Sequence, residues 1–225
     1  TYRHHMAKLR RRCEALNKLD LKSLRYTCEN GTDLLLELPE GHIWLGGEES
    51  SKDGTIFNAN IPTEEVFSAP QYNGVNGVVY STKPLIYHGN TISDFSFTFK
   101  EGKIVEYTAK EGYEVLKELV ETDEGSHYLG EVALVDHFSP ISQSNQIFYE
   151  TLFDENASCH LAIGASYPTC LKGSDGLSEE ELKERGLNHS LTHVDFMIGH
   201  ERMNIKGYTR DGQAIDIMID GRLQV

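Results

Sequence analysis

The chain has 225 residues, 39% of them apolar and 25% charged, with 21 Lys+Arg against 35 Asp+Glu for a formal net charge of −14. A chain this long buries roughly 70% of the surface its unfolded form exposes, so a core forms without disulfide staples. The acid excess argues against a nucleic-acid backbone or an anionic membrane as partner, since like charges repel at short range; no stretch approaches the ~18 consecutive apolar residues of a membrane span.

In chain order, Met6, Leu9, Cys13 and Leu16 share one helical face, opposite the basic run Lys8, Arg10, Arg11 and Arg12, which reads as solvated. From Leu21 to Gly47 the pattern is strand-like, with Asn30-Gly31 as a hairpin turn between apolar runs and His42 to Leu45 as a further run. Glu48 to Asp53 reads as a polar loop, and Pro62 disfavours a central strand position for the segment 61–67. Strands are expected over Val75–Tyr87 and Phe95–Tyr107, the latter turning at Glu101-Gly102-Lys103. A short helix follows around Tyr113–Val120, then a strand over Leu129–Val135, a helix over Ile147–Phe153 and a strand over Cys159–Gly164. Ser178 followed by three glutamates marks a helix start. His193–Ile198 is strand-like, and Asn204–Ile219 reads as a hairpin turning at Asp211-Gly212. The fold class is α+β, one domain on a mixed, largely antiparallel sheet with a few helices. Cys13, Cys28, Cys159 and Cys170 form no CxxC pair, which fits reduced thiols in the cytoplasm. The chain carries no signal-peptide pattern and begins at Thr1 in helix-like sequence, as a piece of a longer protein would.

Several polar residues sit inside apolar stretches: Glu64-Glu65, Glu131, His160, Tyr167 before Pro168, and His193 with Asp195. An ionised Glu131 among Leu, Val and Ala is costly without a neutralising partner. Lys and Arg are absent from Gly125 to Leu171, so a bound cation would resolve the shortage. His193 and Asp195, two apart in a strand, point to one face roughly 6.6 Å apart along the backbone. Together with Glu65, Glu131 and His160 they make an N/O donor set suited to Zn²⁺, Co²⁺ or Mn²⁺. Five donors exceed the needs of one tetrahedral ion and suit two ions bridged by a carboxylate. Each residue also has a plain alternative: a hydrogen-bonded core histidine, a His–Asp salt bridge, a solvated turn at Glu64-Glu65. Cys159-His160 does not make a nucleophile pair, because neighbours in a strand face opposite ways. No GxSxG, Walker or GxGxxG motif is present.

The strings Asn-Ile-Pro-Thr-Glu-Glu-Val-Phe (60–67), Gly-Ser-His-Tyr-Leu-Gly-Glu-Val-Ala-Leu-Val (125–135), Thr-Leu-Phe-Asp-Glu-Asn-Ala-Ser-Cys-His-Leu-Ala-Ile-Gly (151–164) and Thr-His-Val-Asp-Phe-Met-Ile-Gly (192–199) resemble the thermophilic-type metalloaminopeptidases, the aminopeptidase T, aminopeptidase S and PepS group. The likeness spans nearly the whole chain. It implies a pair of cocatalytic divalent cations, Zn, Co, or Mg/Mn, removing N-terminal amino acids from peptides with a free N-terminus. By position it implies metal ligation by Glu65, Glu131, His160, His193 and Asp195, and an active-site role for Tyr167. It further implies that residues 1–225 are the C-terminal metal-binding domain of a longer, homodimeric enzyme, with the N-terminal domain outside this chain. Glu64, beside the ligand Glu65, is the candidate general base by analogy with other two-metal peptidases. Two alternatives stand beside this reading: a metal-binding or dimerisation domain inactive as a fragment, and a two-metal dipeptidase or carboxypeptidase.

Overall fold

The computed structural model describes residues 2–51, 53–58, 61, 63–144, 146–148 and 151–225, without the side chains of 49, 50, 151 and 152. Helix α1 (Tyr2–Leu19) buries Met6, Leu9, Cys13 and Leu16, the stripe that the spacing dictates. Arg12 departs from the expected solvated face. It borders that stripe, is 5% exposed, and pairs with Asp136 at 3.3 Å. Burial pulls its guanidinium below the ordinary value, against the raising influence of Asp136 and Glu64.

Strands β1 (Leu21–Thr27) and β2 (Asp33–Glu37) pair antiparallel across the Asn30-Gly31 turn, where Asn30 Oδ1 accepts the Thr32 N–H and Gly31 adopts φ +101°. The run from His42 to Leu45 is not a strand; it makes single bridges to Leu171 and Phe67. The stretch expected as a loop holds a small hairpin, β3 (Glu49–Ser50) with β4 (Ile56–Phe57), closed by the Ser51 N–H on the Thr55 carbonyl. β5 (Val66–Ser68) and β6 (Val75–Tyr80) follow; Pro62 lies outside the described residues. The expected Val75–Tyr87 strand breaks before Pro84, and β7 (Leu85–Tyr87) forms its own hairpin with β8 (Asn90–Ile92). β9 (Ser96–Lys100) and β10 (Lys103–Thr108) turn where expected, and α2 (Tyr113–Val120) packs Leu116, Leu119 and Val120 inward.

β11 (Leu129–Leu134) precedes two one-turn helices, α3 (Pro140–Gln143) and α4 (Thr151–Asp154). The helix expected over 147–153 is therefore shorter; 147–148 are irregular and 149–150 lie outside the described residues. β12 (His160–Gly164), α5 (Glu179–Glu184), β13 (His193–Met197), β14 (Asn204–Thr209), β15 (Ala214–Ile219) and β16 (Arg222–Leu223) complete the chain. At α5 the Ser178 hydroxyl accepts the Glu181 N–H and the Glu181 carboxylate accepts the Ser178 N–H, a reciprocal capping box.

Among the described residues every strand pair is antiparallel. The largest sheet has eight strands in the order β10-β9-β6-β2-β1-β14-β15-β16, a second has four in the order β13-β12-β11-β5, and β3-β4 and β7-β8 form two-stranded sheets. The core lies between the first two. Leu24, Tyr26, Leu34 and Leu36 of the large sheet share one buried cluster with Val132, Leu161, Ile163 and Phe196 of the small one, with Phe97 and Phe196 edge-to-face at 5.1 Å. Each such aliphatic side chain contributes about 1.5–3 kcal/mol by leaving water. Among the described residues no helix is long and apolar enough to cross a membrane.

Candidate metal centre

The site is built on the face of the small sheet turned away from that core. In β12, alternation sends Leu161 and Ile163 into the core and His160, Ala162 and Gly164 to the other face. Ala162 stands opposite Glu131 on one side and Asp195 on the other, so two carboxylates rise on that face with only a methyl group between them. Gly164 pairs with His193, and His160 lies one pleat along. On β5, Phe67 opposes Ala133, which carries Glu65, two residues earlier, to the same face.

Glu131 reaches this face through a β-bulge. Leu129 opposes Ile163 while Glu131 opposes Ala162, which leaves Gly130 between them without a partner in the ladder. A Cβ at Gly130 would stand 2.3 Å from the carbonyl oxygens of both Gly164 and Ala165, so only glycine fits. The bulge lets one strand bury Leu129 in the core and still aim Glu131 at the site.

The donor atoms converge. His160 Nε2 lies 3.0 Å from Glu65 Oε2 and 3.4 Å from Glu131 Oε1; His193 Nε2 lies 3.4 Å from Glu131 Oε2 and 3.5 Å from Asp195 Oδ1. Each imidazole is fixed from behind. His160 Nδ1 stands 2.9 Å from the Ser158 carbonyl and His193 Nδ1 stands 2.7 Å from the Ala165 carbonyl. Carbonyl oxygens only accept, so Nδ1 carries the proton in both rings and Nε2 faces the cluster.

His160 Nε2, Glu65 Oε2 and Asp195 Oδ1 are buried without a hydrogen-bond partner. Unsatisfied buried polar atoms of this kind cost about 1–3 kcal/mol each, and a cation among them removes the cost. The N/O donor set and these orphaned atoms fit a divalent metal. Three groups place their ligand atoms within 4.8 Å of one another: Glu65, Glu131 and His160; Glu131, His193 and Asp195; and Glu155, His160 and Asp195.

Without a cation, protons do the neutralising. Burial pushes the Glu131 carboxyl up, but the imidazoles of His160 and His193 outweigh it and hold it down at about 2. Burial opposes charge on His193 as well, and Asp195 and Glu131 overcome it and lift the ring to about 10. His160 is lifted in the same way by Glu131 and Glu65. Glu65 is raised by burial, against His160. Burial followed by the charges of Glu65 and Asp195 lifts Glu155 to about 9.

Five residues read from the sequence, Glu65, Glu131, His160, His193 and Asp195, thus stand together. Tyr167 lies at their edge, half exposed, its ring 4.8 Å from that of His193 and 6.3 Å from that of Phe67. Burial and then the negative charge of Glu131 and Asp195 raise its hydroxyl to about 12, so it stays a phenol. The structure does not bring Glu64 into the cluster. Its carboxylate turns to α1, where Oε2 is 3.7 Å from His5 Nε2, and its N–H donates to Asn156 Oδ1 at 2.8 Å. The Cys159 thiol donates to the Val135 carbonyl at 3.2 Å, away from the cluster.

Sequence reasoning missed Glu155, which the cluster includes, and His5, the partner of Glu64. Glu155 sits five residues before His160 in a 3₁₀ turn (Glu155–Ala157), where strand alternation no longer tells which way a side chain points.

The sequence model of the thermophilic metalloprotease (M29) family matches residues 1–223 of the chain. The chain belongs to this family. It is 55% identical to aminopeptidase AmpS of Bacillus subtilis, across 97% of this chain and 53% of that protein. Among solved structures, wild-type AmpT of Thermus thermophilus superposes with a TM-score of 0.94 at 42% identity, covering all of this chain and 55% of that one. A 2,5-dihydroxypyridine dioxygenase from Pseudomonas putida shares the fold, with a TM-score of 0.63 at 14% identity over 98% of this chain and 62% of that one. The chain spans about half the length of the curated M29 relatives it matches.

Proposed function

We propose that the chain is the metal-binding, C-terminal half of a cytoplasmic, homodimeric aminopeptidase. It would hold two divalent cations, zinc or cobalt with magnesium or manganese as alternatives, and remove N-terminal residues from peptides. One observation carries the two-cation reading. Glu131 presents one oxygen to each imidazole, so two donor groups share it: Glu65/Glu131/His160 and Glu131/His193/Asp195. A shared carboxylate is the usual bridge of a dinuclear centre. Glu155 offers a further carboxylate to His160 and Asp195. The four described thiols are free, which supports a reducing compartment.

Bound there, the cations would supply Lewis acidity toward the scissile carbonyl and toward the attacking water. The remaining roles fall to this chain's residues. Tyr167, kept as a phenol beside His193, donates to the oxygen that develops negative charge. Glu64 is the proposed proton acceptor. Burial raises its carboxyl above the ordinary value, against His5, Lys8 and Arg12, which favours proton uptake from water. To act, its carboxylate has to swing off His5.

The test has two parts. Zn²⁺ and Co²⁺ titrated into the metal-stripped chain should bind at two ions per chain, and a single ion sinks the dinuclear reading. The full-length enzyme should cleave peptides with a free N-terminus and lose that activity when the N-terminus is acetylated. Cleavage of acetylated peptides would make it a carboxypeptidase instead. Glu64→Gln in the full-length enzyme should keep both ions and lower kcat by about 10²–10⁴-fold, the span of a general base. Loss of the ions in that variant would make Glu64 a ligand, and unchanged kcat would pass the base role to another acid such as Glu155.

A further inference from the structure

Asn188 takes no part in the donor set, yet it is buried where the three donor-bearing strands meet their loops. Its side-chain amide donates 2.8 Å to the Gly125 carbonyl and 2.7 Å to the Gly164 carbonyl. Its backbone N–H donates to Ser166 Oγ at 3.1 Å, and its carbonyl accepts the Ser166 N–H at 2.9 Å. Gly125 opens the segment into β11, Gly164 ends β12, and Asn188 itself lies on the approach to β13.

The peptide between Gly164 and Ala165 is the sensitive point. Gly164 has φ +104°, where a Cβ would stand 2.1 Å from the Thr192 carbonyl oxygen, and without a Cβ the following peptide turns at low cost unless both its ends are held. Asn188 holds the carbonyl end, and the Ala165 N–H donates to the Thr192 carbonyl at 2.8 Å. So fixed, Ala165 aims its own carbonyl at His193 Nδ1, and two residues later the loop delivers Tyr167. The start of β13 has a separate anchor, since Asp123 accepts from the Leu191 N–H at 2.6 Å and from the Ser190 hydroxyl at 2.8 Å. Removing Asn188 therefore loosens the 164–167 loop and leaves β13 in place. His160 lies outside its reach, because that ring is held by the Ser158 carbonyl.

We infer that Asn188 is a positioning residue, acting through the Gly164–Tyr167 loop on His193 and Tyr167 and not on His160. This rests on the metal-binding reading above. Outer partners of metal-bound histidines are typically worth 10–100-fold in metal affinity. In the metal-stripped 225-residue chain titrated with Zn²⁺, Asn188→Ala should weaken one of the two ions by about 10–100-fold and leave the other within about twofold. In a ¹H–¹⁵N spectrum of the Zn²⁺-loaded chain, the His193 Nδ1–H signal should shift or exchange faster while that of His160 stays unchanged. Ser166→Ala, a milder change on the same loop, should move the same ion and the same ring in the same direction, and it decides the matter if Asn188→Ala does not fold. A lowered Tm with both affinities and both ring signals unchanged, or with both ions weakened alike, would make Asn188 merely structural and overturn the inference. A wild-type chain that binds one ion removes the dinuclear reading by itself, and Asn188 is then judged by whether the His193 signal alone moves.

Discussion

Glu131→Gln is expected to remove metal binding at both donor groups at once. Its two carboxylate oxygens face different imidazoles, Oε1 toward His160 and Oε2 toward His193, so one substitution removes the donor that the Glu65/Glu131/His160 and Glu131/His193/Asp195 groups share. A glutamine keeps the shape but loses the charge, and it turns an amide N–H₂ toward one of the two rings. The affinity for Zn²⁺ should fall by roughly 100-fold or more, beyond what an outer-shell partner contributes. Metal-dependent peptidase activity of the full-length enzyme should vanish. The fold should survive: the metal-free chain already balances this carboxylate with ring protons, so the variant sheds positive charge from His160 and His193 in step. The checks are calorimetric titration for the ions and circular dichroism with a urea transition for the fold. Undiminished metal occupancy and turnover in the variant would exclude Glu131 from the site. Loss of one ion only would show that the two groups do not share it.

The metal-free chain should lose stability toward alkaline pH, and the loaded chain should not. The direction follows from which state holds more protons. His193, raised from 6.5 to about 10, stabilises the folded chain fully below pH 6.5, and that contribution is lost as pH rises toward 10. Glu155, raised from 4.5 to about 9, acts the same way, its contribution fading as pH climbs from 4.5 to 9. Glu131, lowered from 4.5 to about 2, stabilises fully above pH 4.5 and loses its contribution as pH falls toward 2. The metal-free maximum should therefore lie on the acid side of neutrality. Tm should decline by roughly 5–10 °C between pH 6 and 9.5. Metal ligation requires neutral imidazoles and ionised carboxylates, so uptake at pH 7 should release roughly two protons per chain from His160 and His193, and a third where Glu155 joins the ligands. Titrations in buffers of different ionisation enthalpy read that number directly, and melting with and without chelator at pH 5, 7 and 9 reads the stability. Uptake with no proton release would show that the rings are already neutral and that the cluster is held together in some other way.

The two results are linked. In the metal-free chain Glu131 is a counterion common to both rings, beside Asp195 at His193 and Glu65 at His160, so Glu131→Gln should also make the alkaline decline of the metal-free chain shallower. A variant that loses metal but keeps the full decline would place the titrating pair elsewhere.

Much of this molecule is legible without coordinates. The α1 stripe of Met6, Leu9, Cys13 and Leu16 is set by helical period, the hairpin at Asn30-Gly31 by turn chemistry, and the α5 start by the Ser178–Glu181 box, all interactions a few residues long. The five donors were legible because each is a polar residue in an apolar stretch, and the family strings around them are long. What lay beyond the sequence is the set of features that depends on how separate segments meet. Strand alternation says that His193 and Asp195 share a face, but not that Glu131 joins them. That depends on the Gly130 bulge and on the register that sets Glu131 and Asp195 either side of Ala162. The same limit hid Arg12, whose burial depends on Asp136 over a hundred residues away. It hid the turn of Glu64 to His5, and the arrival of Glu155 from a 3₁₀ turn with no alternation to read. Polar residues in apolar stretches marked five of the donors, and packing between distant segments decided which atoms meet, because facing directions propagate along a strand but not across a ladder whose register can slip by one residue.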